Sequence, residues 1–142
     1  MARKLLAIAA LCAGLPCTPV LADGGTYGPA IAAFEAQAGQ AAPQNREKLI
    51  RCAAFWLRWK NDGAASDDAS QLPPSLSAAT ADQRYQAIMK RSFALVDMAN
   101  PQEVASADTA FREAYRDAGF ALAMWSLEPD VTDFFEQLGR CG

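Results

Sequence analysis

The segment from Arg46 to Asn61 limits the possible folds more than any other part of the chain. Placed on an α-helix at about 100° per residue, its apolar side chains cover an arc of about 220°. A helix that lies on the surface of a core needs an apolar arc of only roughly 100°. The side chains of the wide arc are Leu49, Ile50, Cys52, Ala53, Phe55, Trp56, Leu57 and Trp59. The pattern therefore predicts a central helix that is packed against two or more neighbours.

The rest of the chain is helical in character too, because it is rich in Ala and lacks alternating runs of β-branched residues. Apolar residues recur at helical spacing in 29–38, 80–99, 101–126 and 130–138. We expect Thr80 to begin the third helix in a capping box with Gln83. Asn100 is expected to cap the fourth helix ahead of Pro101, and Gly139 to end the last one. We therefore predict an all-α, single-domain bundle of four to five helices.

Residues 62–79 separate the second predicted helix from the third. The segment is polar and contains Gly63 and the pair Pro73-Pro74. It is long for a compact domain, in which most connections run about 4–6 residues. We predict a flexible loop over 62–79; if the loop is instead ordered, it is expected to carry a site.

Residues 1–22 have the pattern of a cleaved signal peptide. Arg3 and Lys4 precede the apolar stretch Leu5–Leu15, and Val20 to Ala22 offers small residues where a signal peptidase cuts. A membrane anchor is the alternative, but this stretch would span only about 16 Å of a ~30 Å hydrocarbon core. A lipid anchor is not favoured, since neither early cysteine has the expected lipobox residues before it. The chain therefore divides into a signal peptide, 1–22, and a helical domain, 23–142, without a membrane anchor after cleavage.

The charge of the predicted mature domain excludes some partners. The chain carries 13 basic and 16 acidic side chains, and removal of Arg3 and Lys4 leaves 11 basic ones and a net charge of −5. An acidic domain is a poor candidate for binding nucleic acid or an anionic membrane surface. The Ala-rich signal peptide suggests a bacterial source, so we expect a periplasmic protein, or a secreted one if the source is not Gram-negative.

Two cysteines, Cys52 and Cys141, remain after cleavage. In an oxidising compartment they are expected to form one structural disulfide. A redox-active thiol or a link to a partner is the alternative. No C-x-x-C motif is present to support a thioredoxin-like role.

Most catalytic and cofactor chemistries have no residues to support them. The chain contains no His, which excludes Ser-His-Asp triads, Cys-His dyads and imidazole metal sites. The acidic loop residues lack the order of an EF-hand, and no C-x-x-C-H motif is available to attach haem. The carboxylates near Asp130 and Asp133 fit a helix first turn better than a catalytic pair. We therefore predict a non-enzymatic protein with no catalytic residues, no metal and no cofactor.

Basic and aromatic residues of the second helix form the first candidate site. Arg51 and Arg58 lie two turns apart on one face, and guanidinium groups bind carboxylate or phosphate in a bidentate manner. Alternatively, the arginines pair with acidic residues of neighbouring helices while the aromatic rings fill the core. The predicted partner-binding residues are Lys48, Arg51, Phe55, Arg58 and Trp59.

Two further possibilities concern the aromatic side chains. The polar face of the fourth helix is lost from Phe120 onward, so this end is either covered by another element or exposed for a partner. Trp56, Tyr115 and Trp125, with Trp59 beside them, could line a ligand pocket inside the bundle. The sequence thus favours an unknown protein partner, bound by an inhibitor, immunity or chaperone-like protein, with a small-ligand carrier as the alternative.

Overall fold

The computed structural model describes residues 27–65 and 70–142. In this part of the chain there are five α-helices and no strand. The helices are α1 (Gly28–Gln37), α2 (Arg46–Arg58), α3 (Ala78–Phe93), α4 (Pro101–Leu127) and α5 (Asp133–Arg140). The predicted signal peptide, 1–22, lies outside the described residues. The prediction of an all-α bundle is confirmed.

Helix α2 lies at the centre of the bundle, as its wide apolar arc requires. It packs against α3 and α4 and also contacts α5, whereas α1 packs mainly on α5. Seven of its residues are buried, among them Ala53 and Trp56, which have no exposed surface. A helix with neighbours on several sides has to be apolar around most of its circumference.

Aromatic side chains from three helices fill the core. Trp59 and Trp125 lie with their ring centroids 5.0 and 4.9 Å from that of Phe135. Phe134 stacks on Phe55 at 5.3 Å. These distances lie in the range of favourable offset and edge-to-face ring contacts. The core therefore ties α5 to both α2 and α4.

The helix boundaries correct one predicted cap and confirm another. Asn100 accepts hydrogen bonds from the backbone N–H groups of the first turn of α4, as predicted. Helix α3 begins earlier than predicted, because Ser77 is its N-cap and its hydroxyl accepts a hydrogen bond from the Thr80 backbone N–H at 3.2 Å. Thr80 therefore lies in the first turn of the helix and does not cap it.

The predicted loop over 62–79 is wrong at both of its ends. Residues Trp59–Gly63 continue α2 as a π-helical turn, and α3 already begins at Ala78, after a 3₁₀ turn formed by Pro74–Leu76. The Trp59 indole N–H donates to the Leu76 carbonyl oxygen at 2.8 Å, and Leu76 itself is fully buried. The core thus holds Leu76 in place through an indole hydrogen bond that no local pattern indicates.

Helix α5 also differs from its prediction. It begins at Asp133, so Asp130 lies ahead of its first turn, and it continues through Gly139 to Arg140. Gly139 is a buried position inside the helix and not its C-cap. A Cβ atom there would overlap the Phe34 carbonyl oxygen of α1. Glycine is therefore required for the close approach of α1 and α5.

The predicted disulfide is present between Cys52 of α2 and Cys141 after α5. Their Cα atoms are 5.4 Å apart, and both cysteines are buried. The bond fastens the C-terminal end of the chain to the central helix.

Candidate functional site

The two aromatic members of the predicted partner-binding set belong to the core. Trp59 has no exposed surface and is held by its hydrogen bond to Leu76. Phe55 is buried too, stacked on Phe134. In the folded chain Trp59 therefore presents no surface to a partner. Phe55 lines only the floor of an open groove between α2, α4 and α5.

Arg58 is held within the bundle, but its acidic partner is not on a neighbouring helix as the alternative for the arginines had it; Asp62 lies one turn further along the same helix. Its guanidinium carbon lies 3.7 Å from the ring centroid of Tyr115, and Nη2 donates to the Tyr115 carbonyl oxygen at 3.2 Å. Nη1 binds Asp62 at 2.6 Å, and only 22% of the side chain is exposed. A Cβ atom at position 119 would come within 2.9 Å of this guanidinium, so Gly119 makes room for it. Arg58 joins the end of α2 to α4.

Arg51 and Lys48 are the members of the set that face outward. The Arg51 guanidinium lies 5.0 Å from the Phe55 ring centroid, in cation–π geometry. It also makes an ion pair of 3.5 Å with Asp117 of α4, and 46% of its side chain is exposed. Lys48 is exposed one turn earlier on α2. The site predicted from sequence is thus divided into a buried part and an accessible part.

Arg51 and Phe55 line an open groove between α2, the second half of α4, and α5. We call this the α2–α4–α5 groove, and its volume is about 600 Å³. Phe120 stands on its α4 side with 70% of its surface exposed. The groove is lined by Arg51, Phe55, Arg116, Asp117, Phe120, Ala121, Asp133, Glu136, Gln137 and Arg140.

Only part of this groove could be predicted from the sequence. Phe120 was expected on a face that is either covered or exposed, and its side chain is exposed. Arg140 was not predicted; its guanidinium reaches the groove from the end of α5 and bonds Glu136 at 3.0 Å. The one signal for Arg140 was its place directly before Cys141, which the disulfide carries back to α2.

The side chains proposed for an internal ligand pocket do not share one location, because Trp56 and Trp125 lie in the core whereas Tyr115 is only half-buried. Trp56 is fully buried against Phe34, at a centroid distance of 6.1 Å. Trp125 packs on Trp59 at 6.4 Å, whereas Tyr115 stacks on Phe111 at 6.1 Å. The two tryptophans contact core rings, whereas the Tyr115 ring also lies against the Arg58 guanidinium, so the structure does not gather these side chains around one space. The carrier hypothesis stays a prediction.

A second, mainly apolar cleft of about 240 Å³ lies between α3 and the first half of α4. Phe93, at the end of α3, lines it with half of its surface exposed, and Met98 lines it from the following turn. Asp108 is its charged residue. This α3–α4 cleft has fewer groups for directional recognition than the α2–α4–α5 groove.

The described residues hold no group of three or more potential metal-ligating side chains. None of the described helices is long and apolar enough to cross a membrane.

The pKa of the Asp82 carboxyl is lowered, chiefly because Lys60 donates a hydrogen bond to it at 2.6 Å. Neither residue lines the groove. Two of the carboxylates that do line it pair with arginines, Asp117 with Arg51 and Glu136 with Arg140.

Comparison with protein-family models, with curated proteins and with solved structures finds no match, so the function of this chain has to be inferred from its own surface.

Proposed function

We propose that this chain is an exported, non-enzymatic helical protein that binds another protein through the α2–α4–α5 groove. A role as an inhibitor, an immunity protein or a chaperone-like protein fits this proposal. The observation that carries it is the exposed Phe120 ring in a groove that also presents Arg51 and Arg116.

The composition of the groove supports a protein partner. Aromatic residues and arginines contribute most of the binding energy in protein interfaces, typically at the centre of the contact. Here Phe120 supplies an apolar anchor, and charges of both signs surround it, with Arg116 only 3.8 Å from Asp117. Mixed charges at the rim select for a partner with the complementary pattern.

The groove is also preorganised. Its floor residue Phe55 is locked against Phe134, and Ala121 belongs to a helix whose next residue, Leu122, is buried in the core. Helices fixed in this way lose little conformational freedom on binding, which favours affinity.

Export is part of the proposal and draws on two observations. The Cys52–Cys141 bond is of a kind that persists in oxidising compartments. The sequence of residues 1–22 supports delivery to such a compartment. We therefore place the protein in the periplasm, or outside the cell if the source is not Gram-negative.

Affinity capture with matched variants tests the proposed function. The bait is the chain with a C-terminal tag and its disulfide intact, and the prey is a non-reduced cell-envelope extract of the source organism. Phe120→Ala and Arg51→Glu alter the groove, whereas Phe93→Ala removes an exposed phenylalanine of the α3–α4 cleft and serves as the control.

Wild type and Phe93→Ala are expected to retain one stoichiometric partner at moderate salt. Loss of an interface hot spot of about 2 kcal/mol lowers affinity roughly 30-fold, so both groove variants should lose that partner. Unchanged capture by Phe120→Ala and Arg51→Glu would contradict the groove as the binding surface. Loss with Phe93→Ala alone would assign the interface to the α3–α4 cleft.

A further inference from the structure

A second concavity lies beside the α2–α4–α5 groove, where the α1–α2 connection, α2 and the end of α5 meet. Its volume is about 340 Å³, and the buried Cys52 forms part of its wall. We call it the disulfide cup. It is lined by Gln40, Ala41, Pro43, Lys48, Arg51, Cys52, Gln137 and Arg140. Three of these residues are cationic and none is acidic.

The disulfide brings the cations together. Arg51 directly precedes Cys52, and Arg140 directly precedes Cys141. The two cysteine Cα atoms are 5.4 Å apart, and the two arginines line the same cup although they are far apart in sequence. Lys48 lies three residues before Arg51, and side chains at this spacing share one face of a helix.

The acidic neighbours of these cations lie outside the cup. Arg51 pairs with Asp117 at 3.5 Å, and Arg140 pairs with Glu136 at 3.0 Å. Both carboxylates line the adjacent groove and not the cup. Arg140 Nε also donates to the side-chain oxygen of Gln37 at 3.4 Å.

Among the residues that the structure describes, no carboxylate oxygen lies within 4.0 Å of the Lys48 ammonium group. Three like charges around one concavity repel each other. An anion bound between them would remove that repulsion.

We propose that the disulfide cup binds a soluble phosphate-type dianion, either inorganic phosphate or a small phosphomonoester. Arg51 and Arg140 each have part of their charge balanced by a carboxylate outside the cup, whereas Lys48 pairs with no carboxylate of the described residues. The positive charge of the three side chains together suits a dianion better than a monoanion. Guanidinium groups such as those of Arg51 and Arg140 carry several N–H donors that suit phosphate oxygens, and Lys48 supplies a point charge, as in many phosphate sites. The volume lies within the range of about 300–1,000 Å³ of small-molecule sites, so a small organic substituent fits beside Gln40 and Gln137.

Titration calorimetry of inorganic phosphate into the purified, oxidised full chain tests this site. The titration is run at pH 8 and low ionic strength, with sodium chloride of equal ionic strength as the reference. Saturable binding at one site is expected. Lys48→Gln and Arg140→Gln should each weaken it about tenfold or more, which corresponds to about 1.4 kcal/mol. Lys48→Gln is the decisive variant, because Lys48 makes no ion pair with a described residue that its replacement would remove.

Arg112→Gln is the matched control. Arg112 lies on α4, is 77% exposed and pairs only with Asp108 along its own helix. Its removal changes the net charge as much as Lys48→Gln does but leaves the cup intact. Phosphate affinity should therefore stay as in wild type. Equal weakening by Arg112→Gln, or no saturable phosphate binding by wild type, would overturn the proposal.

Sedimentation with phosphatidylglycerol vesicles separates a soluble ligand from a lipid headgroup. No co-sedimentation is expected, because the protein is acidic overall and the cup is small. Vesicle binding that Lys48→Gln abolishes would overturn the soluble ligand. The phosphate titration contains no partner protein, and Phe120→Ala should leave it unchanged. A negative phosphate titration therefore bears on the disulfide cup alone, and the proposed partner-binding groove is tested separately by affinity capture.

Discussion

Replacement of Gly139 by alanine tests the packing of α1 on α5. In the interior of a helix, glycine is less favourable than alanine by about 1 kcal/mol, so helix propensity alone predicts that Gly139→Ala stabilises the protein. The structure predicts instead that Gly139→Ala destabilises the protein. The new Cβ atom would overlap the Phe34 carbonyl oxygen and lie 2.8 Å from Cβ of Gln37.

The size of the expected loss in stability follows from the distances between the added Cβ atom and α1. Ordinary van der Waals contact begins at 3.4 Å, so α5 has to withdraw from Gln37 by at least 0.6 Å, and further from the Phe34 oxygen. That oxygen belongs to the backbone and cannot rotate away. Overpacking of this kind costs typically up to about 3 kcal/mol. After the gain of about 1 kcal/mol in helix propensity, we expect a net loss of about 2 kcal/mol in the free energy of unfolding.

Urea unfolding followed by tryptophan fluorescence measures this loss, because Trp56, Trp59 and Trp125 are buried and report on the core. The midpoint should fall while the m-value stays constant. Gly28→Ala is the control, since a Cβ atom there meets nothing within 4 Å, and it should leave stability equal or slightly higher. A Gly139→Ala variant as stable as wild type would refute the close approach of α1 and α5.

Three further predictions concern single interactions. Replacing Cys52 and Cys141 together by alanine should lower the free energy of unfolding by up to about 4–5 kcal/mol, because the bond closes a long loop; urea unfolding of the oxidised and the double-variant chains measures the difference. Asn100→Ala should cost about 1 kcal/mol through loss of the α4 cap, also by urea unfolding, and an unchanged midpoint would contradict the role of this side chain. The lowered pKa of Asp82 means that its bond to Lys60 stabilises the fold above about pH 4 and loses this effect as the pH falls. The stability difference between wild type and Asp82→Asn should therefore shrink below about pH 4 in a series of thermal scans, and a constant difference would exclude this linkage.

Helix content and the position of the central helix could be predicted from sequence because both depend on local periodicity. The wide apolar arc of α2 required neighbours on several sides, and the structure supplies α3, α4 and α5. Asn100 was found as a cap because its pattern lies within a few residues of the helix start. With two cysteines left in the predicted mature domain, only one disulfide pairing was available.

Which side chains are exposed could not be predicted from the sequence, because it depends on contacts between residues that are distant in sequence. Arg51 and Arg58 share one face of α2 in the sequence pattern, yet Tyr115 and Asp62 hold Arg58 while Arg51 stays accessible. Helical periodicity states which side chains share a face, but not which part of that face a neighbouring helix covers. The charge of the disulfide cup has the same origin, because Arg140 reaches α2 only through the folded chain.

Sequence alone therefore determined that this chain forms an all-α bundle around residues 46–58 with one internal disulfide. The spacing of apolar residues, the helix caps and the number of cysteines are properties of short segments or of composition. Tertiary structure decided that Gly139 packs against α1, that Phe120 is exposed and that Arg140 lies beside Arg51. The physical reason is that burial, close approach and the clustering of charge are relations between elements, and they arise only when the helices pack.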